Sequence, residues 1–375
     1  MELRAAMSQF DPEHYVPILR WKHAEQTALA QLYERDSTCL TPLIELVPEN
    51  FVHKHSKGHI AKLSINEVIN RVGKQLHQYW GERPFFVDLC LLPQEILNQG
   101  SNHFLATLGQ YASILKLSLI PVTGIDRDDA YQSAVHAVLR THKQGACLRL
   151  SLEDIKRPTL AKDINTVLSR LQLPPDLVDL LVDFKITDRS APTFKTLCKL
   201  IPALNGWRNF IVASGAFPAD LSGLRRNDIH TIERTDWKSW RDQTTQVPFV
   251  PRIPNYGDYT IQHVLYLEHK GRARYSASIR YTAEDYWLIM RGEDVFREDG
   301  PGFAQWPAQA LLLCDLPEYC KETFSEGDKY IKQMSSQRKH TGNIVTWLEA
   351  GFNHHMTFVV RQLARICGAS TAALS

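Results

Sequence analysis

No run in this chain approaches the roughly 18 consecutive apolar residues that a bilayer-spanning helix needs. The opening stretch, MELRAAMSQFDPEHY, holds no continuous apolar core. Neither a membrane span nor a secretory signal is therefore expected. The sequence has no CxxC pair, and its seven cysteines (Cys39, Cys90, Cys147, Cys198, Cys314, Cys320 and Cys367) are scattered and odd in number. That pattern argues against a disulfide framework or a zinc cage, and for reduced, buried thiols in a cytoplasmic protein. No GxGxxG follows a strand-like run and no HExxH occurs, so the dinucleotide-binding turn and the zinc-protease helix are both missing. Net charge is only +2, too little for a global field to drive the chain onto nucleic acid or an acidic membrane. Low-complexity segments are absent too.

What the chain does have is a rhythm. The stretch 15–22, YVPILRWK, reads as a buried strand that ends in charge, and a helical pattern follows it. The same unit recurs, with strands expected near 40–47, 85–89, 119–122, 146–150, 177–184, 209–213 and 229–233. Helical spacing fills 64–80, 104–115, 128–143, 159–171 and 192–200. Ser64 and Glu67 form a capping-box pattern at the start of one of these helices. Strands that alternate with helices imply a parallel sheet, and strands covered on both faces read as apolar runs. Eight such units predict an α/β fold, a closed (β/α)8 TIM-type barrel over 15–241. An open doubly wound sheet is the alternative.

From 242 onward the pattern changes. VPFVPRIPNYGDY is rich in proline and reads as a linker or lid, carrying Tyr256, Asp258 and Tyr259. Strands at 274–281 and 286–291, helical pieces at 307–313 and 317–323, and a long helix at 343–367 predict an α+β cap over 242–368. Residues 1–14 are a lead-in, and 369–375 are expected to be a disordered tail.

Barrel enzymes carry their functional residues at the C-terminal ends of the strands. Here those ends are Lys22, Glu45, Asp88, Thr123, Arg149, Asp183, Ser214 and Glu233. Lys185 shares the face of Asp183, because side chains alternate along a strand. Glu45, Asp88, Asp183 and Glu233 are the candidate acid, base or metal groups, with Asp88 and Asp183 foremost for Mg2+ or Mn2+. Lys22, Arg149 and Lys185 would hold an anion, with Ser214 and Gly215 as loop donors. Carboxylates with lysine and arginine suit a phosphorylated or nucleotide-like ligand, while paired carboxylates alone would also suit a glycosidase. Each residue taken singly could equally be a polar strand terminus; it is the set that suggests a pocket.

Weaker signals remain. His354 and His355 are adjacent on the long helix, so they point about 100° apart. One is expected beside Phe358 and the other in solvent, with a cap role for the pair as the functional alternative. His53, His55 and His59 sit in a polar stretch with no partner to complete a metal site. Lys270, Arg272, Arg274 and Arg280 form a basic segment that would suit nucleic acid, or simply a charge-protected strand edge.

Four strings carry a resemblance. YVPILRWKHAEQTALAQL with PLIEL, NYGDYTIQH, and HTGNIVTWLEAGFNHHMTFVVRQL resemble the beta protein family of phages and bacterial mobile elements. The resemblance runs from residue 15 to about 363. It implies a cytoplasmic protein encoded in a phage–host conflict locus, and it transfers no catalytic residues. The expectation is thus a barrel hydrolase of phosphate esters or phosphodiesters, with a non-enzymatic nucleic-acid- or protein-binding scaffold as the alternative.

Overall fold

Eight short strands pair in parallel and close into a barrel. In chain order they are β1 (Tyr15–Arg20), β2 (Leu43–Glu45), β3 (Phe85–Asp88), β4 (Leu119–Thr123), β5 (Ala146–Ser151), β6 (Val178–Ile186), β7 (Asn209–Gly215) and β8 (Asn255–Asp258). The structure, a computed structural model, describes residues 9–54, 60–98, 102–186, 192–245, 250–267, 275–337 and 339–374. The side chains of His53, His55 and His59, and residues Lys270, Arg272 and Arg274, lie outside what is described.

The barrel strands are buried along nearly their whole length, as apolar runs enclosed on both faces must be. Some of the helices between them begin where the sequence supplies caps. Ser64 accepts from the Glu67 amide, and the Glu67 carboxylate accepts from the Ser64 amide at 2.8 Å, at the head of Ile65–Tyr79. Asp128 likewise caps Asp129–His142.

One expected strand is not in the barrel. Asp228–Glu233 pairs antiparallel with Tyr286–Asp294, and the eighth barrel strand is the NYGD segment, whose proline-rich surroundings read as a linker or lid. Closure supplies the reason. Tyr256, Gly257 and Asp258 pair with Tyr15, Val16 and Pro17 on one side and with Val212, Ala213 and Ser214 on the other. Gly257 is needed there, since a Cβ would lie 3.0 Å from both the Ala213 Cβ and the Val16 carbonyl oxygen. Tyr256 stacks on Tyr15, with centroids 6.0 Å apart, and Asp258 accepts the Tyr15 hydroxyl. Both are wall residues and not lid residues.

The lead-in packs against the barrel. The Phe10 amide donates to Asn209, and the Phe10 ring meets Phe86 of β3 edge-on at 6.5 Å. His14 stacks on Phe10 and bonds Thr41 at 2.9 Å. Nearby strand starts are tied by charge: Arg208 grips Asp179 with two bonds of 2.8 and 2.6 Å and donates to the Gln144 carbonyl.

The chain forms two compact units that interleave in sequence. One comprises 1–22, 41–214 and 240–258, and the other 23–40, 215–239 and 259–375. The expected cut after residue 241 does not separate them, because β8 lies beyond it. The second unit holds a three-stranded antiparallel sheet, Asp228–Glu233, Tyr286–Asp294 and Ser276–Thr282. Its core gathers Tyr281, Met290, Trp306, Leu313, Ile331 and Trp347. The helical piece expected at 307–313 is present as Gln305–Asp315; the one expected at 317–323 is non-helical, and a helix forms instead at Glu326–Ser335, capped by Ser325.

The terminal helix spans Ile344–Leu374, past Gly368 and through the tail expected to be disordered. Alanine is the best helix former and an internal glycine costs only about 1 kcal/mol, so the segment GASTAAL carries no stop. Its residues 351–360 are all buried. Neither His354 nor His355 therefore faces solvent. No helix among the described residues is long and apolar enough to cross a membrane.

Candidate functional site

The C-terminal ends of β2, β3, β5 and β6 bring Glu45, Asp88, Arg149 and Asp183 together. Register explains part of this: Arg20, Glu45 and Asp88 are lateral neighbours on β1, β2 and β3, and Ser151 is level with Asp183. Arg149 lies two residues before Ser151 on the same face, and its long side chain spans the gap. One guanidinium nitrogen, Nη1, donates to Glu45 at 2.8 Å and to Asp88 at 2.7 Å. The other two reach Asp183 Oδ2, Nη2 at 2.7 Å and Nε at 3.1 Å. A single cation thus holds three carboxylates, all at most 2% exposed.

Two more cations complete the cluster. Arg127 Nη2 donates to the second Asp88 oxygen at 2.7 Å, and Lys185 Nζ approaches Asp183 at 3.1 Å. Asp88 and Asp183 are also fixed in the same way, each accepting the backbone amide two residues on, Cys90 and Lys185, at 2.9 Å. Lys185 adopts φ +58, in the left-handed region.

Electrostatics follow from the pairing. Burial pushes the Asp88 carboxyl up, but Arg127 and Arg149 outweigh it and hold the group below the usual carboxylate range. Cys90, expected to be buried, is exposed. The surrounding protein and the charges of Asp88 and Glu45 push its thiol well up, so Cys90 is a protonated donor to Glu45 at 3.5 Å and not a thiolate nucleophile.

The other candidates are placed elsewhere. Lys22 pairs with Glu49 at 3.0 Å. The Thr123 hydroxyl turns to Gln132 on a covering helix. Ser214 is buried beside Asp258 in register. Gly215 is explained by packing, since a Cβ there would meet Val264 at 2.6 Å and Tyr259 at 3.3 Å. Glu233 leaves the carboxylate set altogether: it sits on the antiparallel sheet, 56% exposed, paired with Lys238. Arg280 donates to the Ile261 carbonyl at 2.8 Å and lies over the Phe217 ring. Burial brings its guanidinium down to about 10; it is not a freely solvated edge residue.

Sequence reasoning missed Arg127 and Arg20. Arg127 lies four residues beyond β4, within a βα loop, where a longer reading of the strand ends would have found it. Arg20 is level with Glu45, which only the strand register reveals.

Could the carboxylates hold a metal? Mg2+ and similar cations bind through carboxylate oxygens, and the oxygens that converge here already accept from Arg149. Among the described residues no group of three or more His, Cys, Asp or Glu is arranged to hold a metal ion. The donor set fits a guanidinium and not a resident divalent cation.

The strand order and this mouth define a closed (β/α)8 barrel protein with a mixed-charge cluster at the C-terminal strand ends. The chain belongs to the beta protein family, whose model matches residues 15–361. Comparison with curated proteins gives no match. Among solved structures it is similar to a mutant tryptophan synthase alpha-subunit from the hyperthermophile Pyrococcus furiosus, at 12% identity and a TM-score of 0.38, over 66% of this chain and 87% of that one.

Proposed function

We propose that the protein is a hydrolase of a small phosphate ester or phosphodiester and works at the barrel mouth. The observation behind this reading is the Arg149 guanidinium shared by Glu45, Asp88 and Asp183, with Arg127 on the other Asp88 oxygen and Lys185 on the same Asp183 oxygen as Arg149. A phosphoryl group presents the same kind of oxygen acceptors as a carboxylate and suits the same planar fork. On binding it replaces carboxylate oxygens on Arg149, Arg127 and Lys185. A carboxylate released in this way accepts a proton from water as the water oxygen attacks phosphorus. The bond from phosphorus to the leaving oxygen breaks, and that oxygen departs as an alcohol with the proton. The three cations stabilise the charge that builds on the phosphoryl oxygens. No step is routed through a metal. The setting we propose, phage–host conflict, rests on the family resemblance alone.

The test is phosphate release from nucleotides, sugar phosphates and a chromogenic phosphodiester, run beside thermal shift with the same ligands. Glu45→Gln and Asp183→Asn, each confirmed as folded by circular dichroism, should lose turnover. Undiminished turnover and ligand shift in both variants would sink the assignment. The alternative of a nucleic-acid-binding scaffold would rest on Lys270, Arg272 and Arg274, outside the described residues, and on Arg280, whose guanidinium is already engaged.

A further inference from the structure

A cavity of about 690 Å³ is lined entirely by residues of the second unit. Small-molecule sites typically occupy about 300–1,000 Å³ and combine apolar walls with a few polar groups. The walls here include Phe324, Phe358, Pro317 and Ala283. The Phe324 and Phe358 rings lie 6.1 Å apart at 50°, so they offer a corner in which a third ring can pack edge-to-face or offset.

Two arginines one turn apart on the terminal helix, Arg361 and Arg365, border the same space. They are held differently. Arg361 makes two bonds to Asp36, 3.1 and 2.9 Å, and lies 4.3 Å over the Phe324 ring. Its charge is compensated and its plane is fixed. Arg365 is 62% exposed and meets Glu284, itself 53% exposed, at 2.9 Å. An exposed pair of this kind is weak, so an incoming anion can take the place of Glu284. The Tyr286 hydroxyl is directed away from this role, donating to Glu318 at 2.7 Å.

The geometry points to a binding site for a small aromatic carboxylate, its ring against Phe324 and Phe358 and its anionic group on Arg365. This site stands apart from the proposed hydrolase reaction and does not depend on it. The test is isothermal titration of the full chain with 1-naphthoate and with neutral 1-naphthylmethanol. Saturable binding of naphthoate is expected, tighter than that of the alcohol by up to about fivefold, the most one exposed ion pair supplies once Glu284 is displaced. Arg365→Ala, at an exposed position, should erase that preference and leave the thermal midpoint unchanged. Pro317→Trp, on the exposed wall, should fill the cavity and weaken both probes. Equal affinity for the two probes, a preference that survives Arg365→Ala, or no saturation up to about 5 mM each overturns the assignment.

Discussion

The imidazole of His354 and the carboxylate of Asp328 meet at 2.8 Å with neither side chain exposed. The other ring nitrogen faces the Thr282 carbonyl at 2.9 Å, an acceptor only, so it carries a hydrogen. Asp328 also accepts the hydroxyls of Tyr281 and Ser325, each at 2.6 Å. The two side chains are therefore locked in one hydrogen-bonded network, and the Tyr281 ring stacks on His354 at 3.8 Å. Removing one partner strands the other in the core. Asp328→Ala is expected to destabilise the protein by about 3–5 kcal/mol. Urea denaturation measures this, and a loss below about 1 kcal/mol would contradict the role assigned to the pair.

The same reasoning applies where strands begin. Arg208 and Asp179 form a two-bond pair with 4% and 0% side-chain exposure, and Asn209 donates to the same carboxylate at 2.7 Å. Asp179→Ala should cost about 3–5 kcal/mol, because it leaves a buried guanidinium unpaired. The shift in thermal midpoint reads the effect.

At the mouth, Arg149→Leu removes the one cation common to Glu45, Asp88 and Asp183. A loss of at least about 3 kcal/mol is expected. Arg149→Lys should recover only part of it, since a single ammonium cannot span three carboxylates as a planar fork does. Equal stability of the lysine variant and the native protein would show that the fork geometry is unimportant.

Acid stability should depend on Asp88. Its folded carboxyl lies below the ordinary value of 3.8, because Arg127 and Arg149 outweigh the burial that raises it. A lowered carboxyl contributes stability above the unfolded value, and that contribution is lost as pH falls below it. Asp88→Asn, less stable at neutral pH, should therefore lose less stability than the native protein as pH drops below 3.8. Denaturation midpoints across that range decide it.

His14 acts in a different window. Burial lowers its imidazole from 6.5 to about 4. The unfolded chain takes up the proton first, so the stability held by neutral His14 is full above pH 6.5 and is lost on falling toward about 4. The amount is up to about 3 kcal/mol. His14→Phe keeps a ring to stack on Phe10 and should flatten the stability profile between these pH values.

Much of the site is legible in the sequence. An apolar run with a charged end encodes a strand buried on both faces that finishes at the mouth, and this pattern marks Glu45, Asp88, Arg149, Asp183 and Lys185. Capping is legible for a related reason: Ser64 and Glu67 need only their own backbone to interact. Glu233 is misplaced by the same pattern, because Asp228–Glu233 reads locally as a strand, and local pattern does not say whether the neighbour will be parallel or antiparallel.

What the sequence determined by itself is therefore the repeating βα unit and the chemistry at most strand ends, since both depend on contacts a few residues apart. Only the tertiary structure decided which strand closes the ring. Asn255–Asp258 is four residues with no apolar run, and it becomes a strand because β1 and β7 present it with two rows of backbone partners. The same holds for Arg149: its type is visible in the chain, but its bond to Glu45, across a sequence separation of 104 residues, exists only once the barrel has closed.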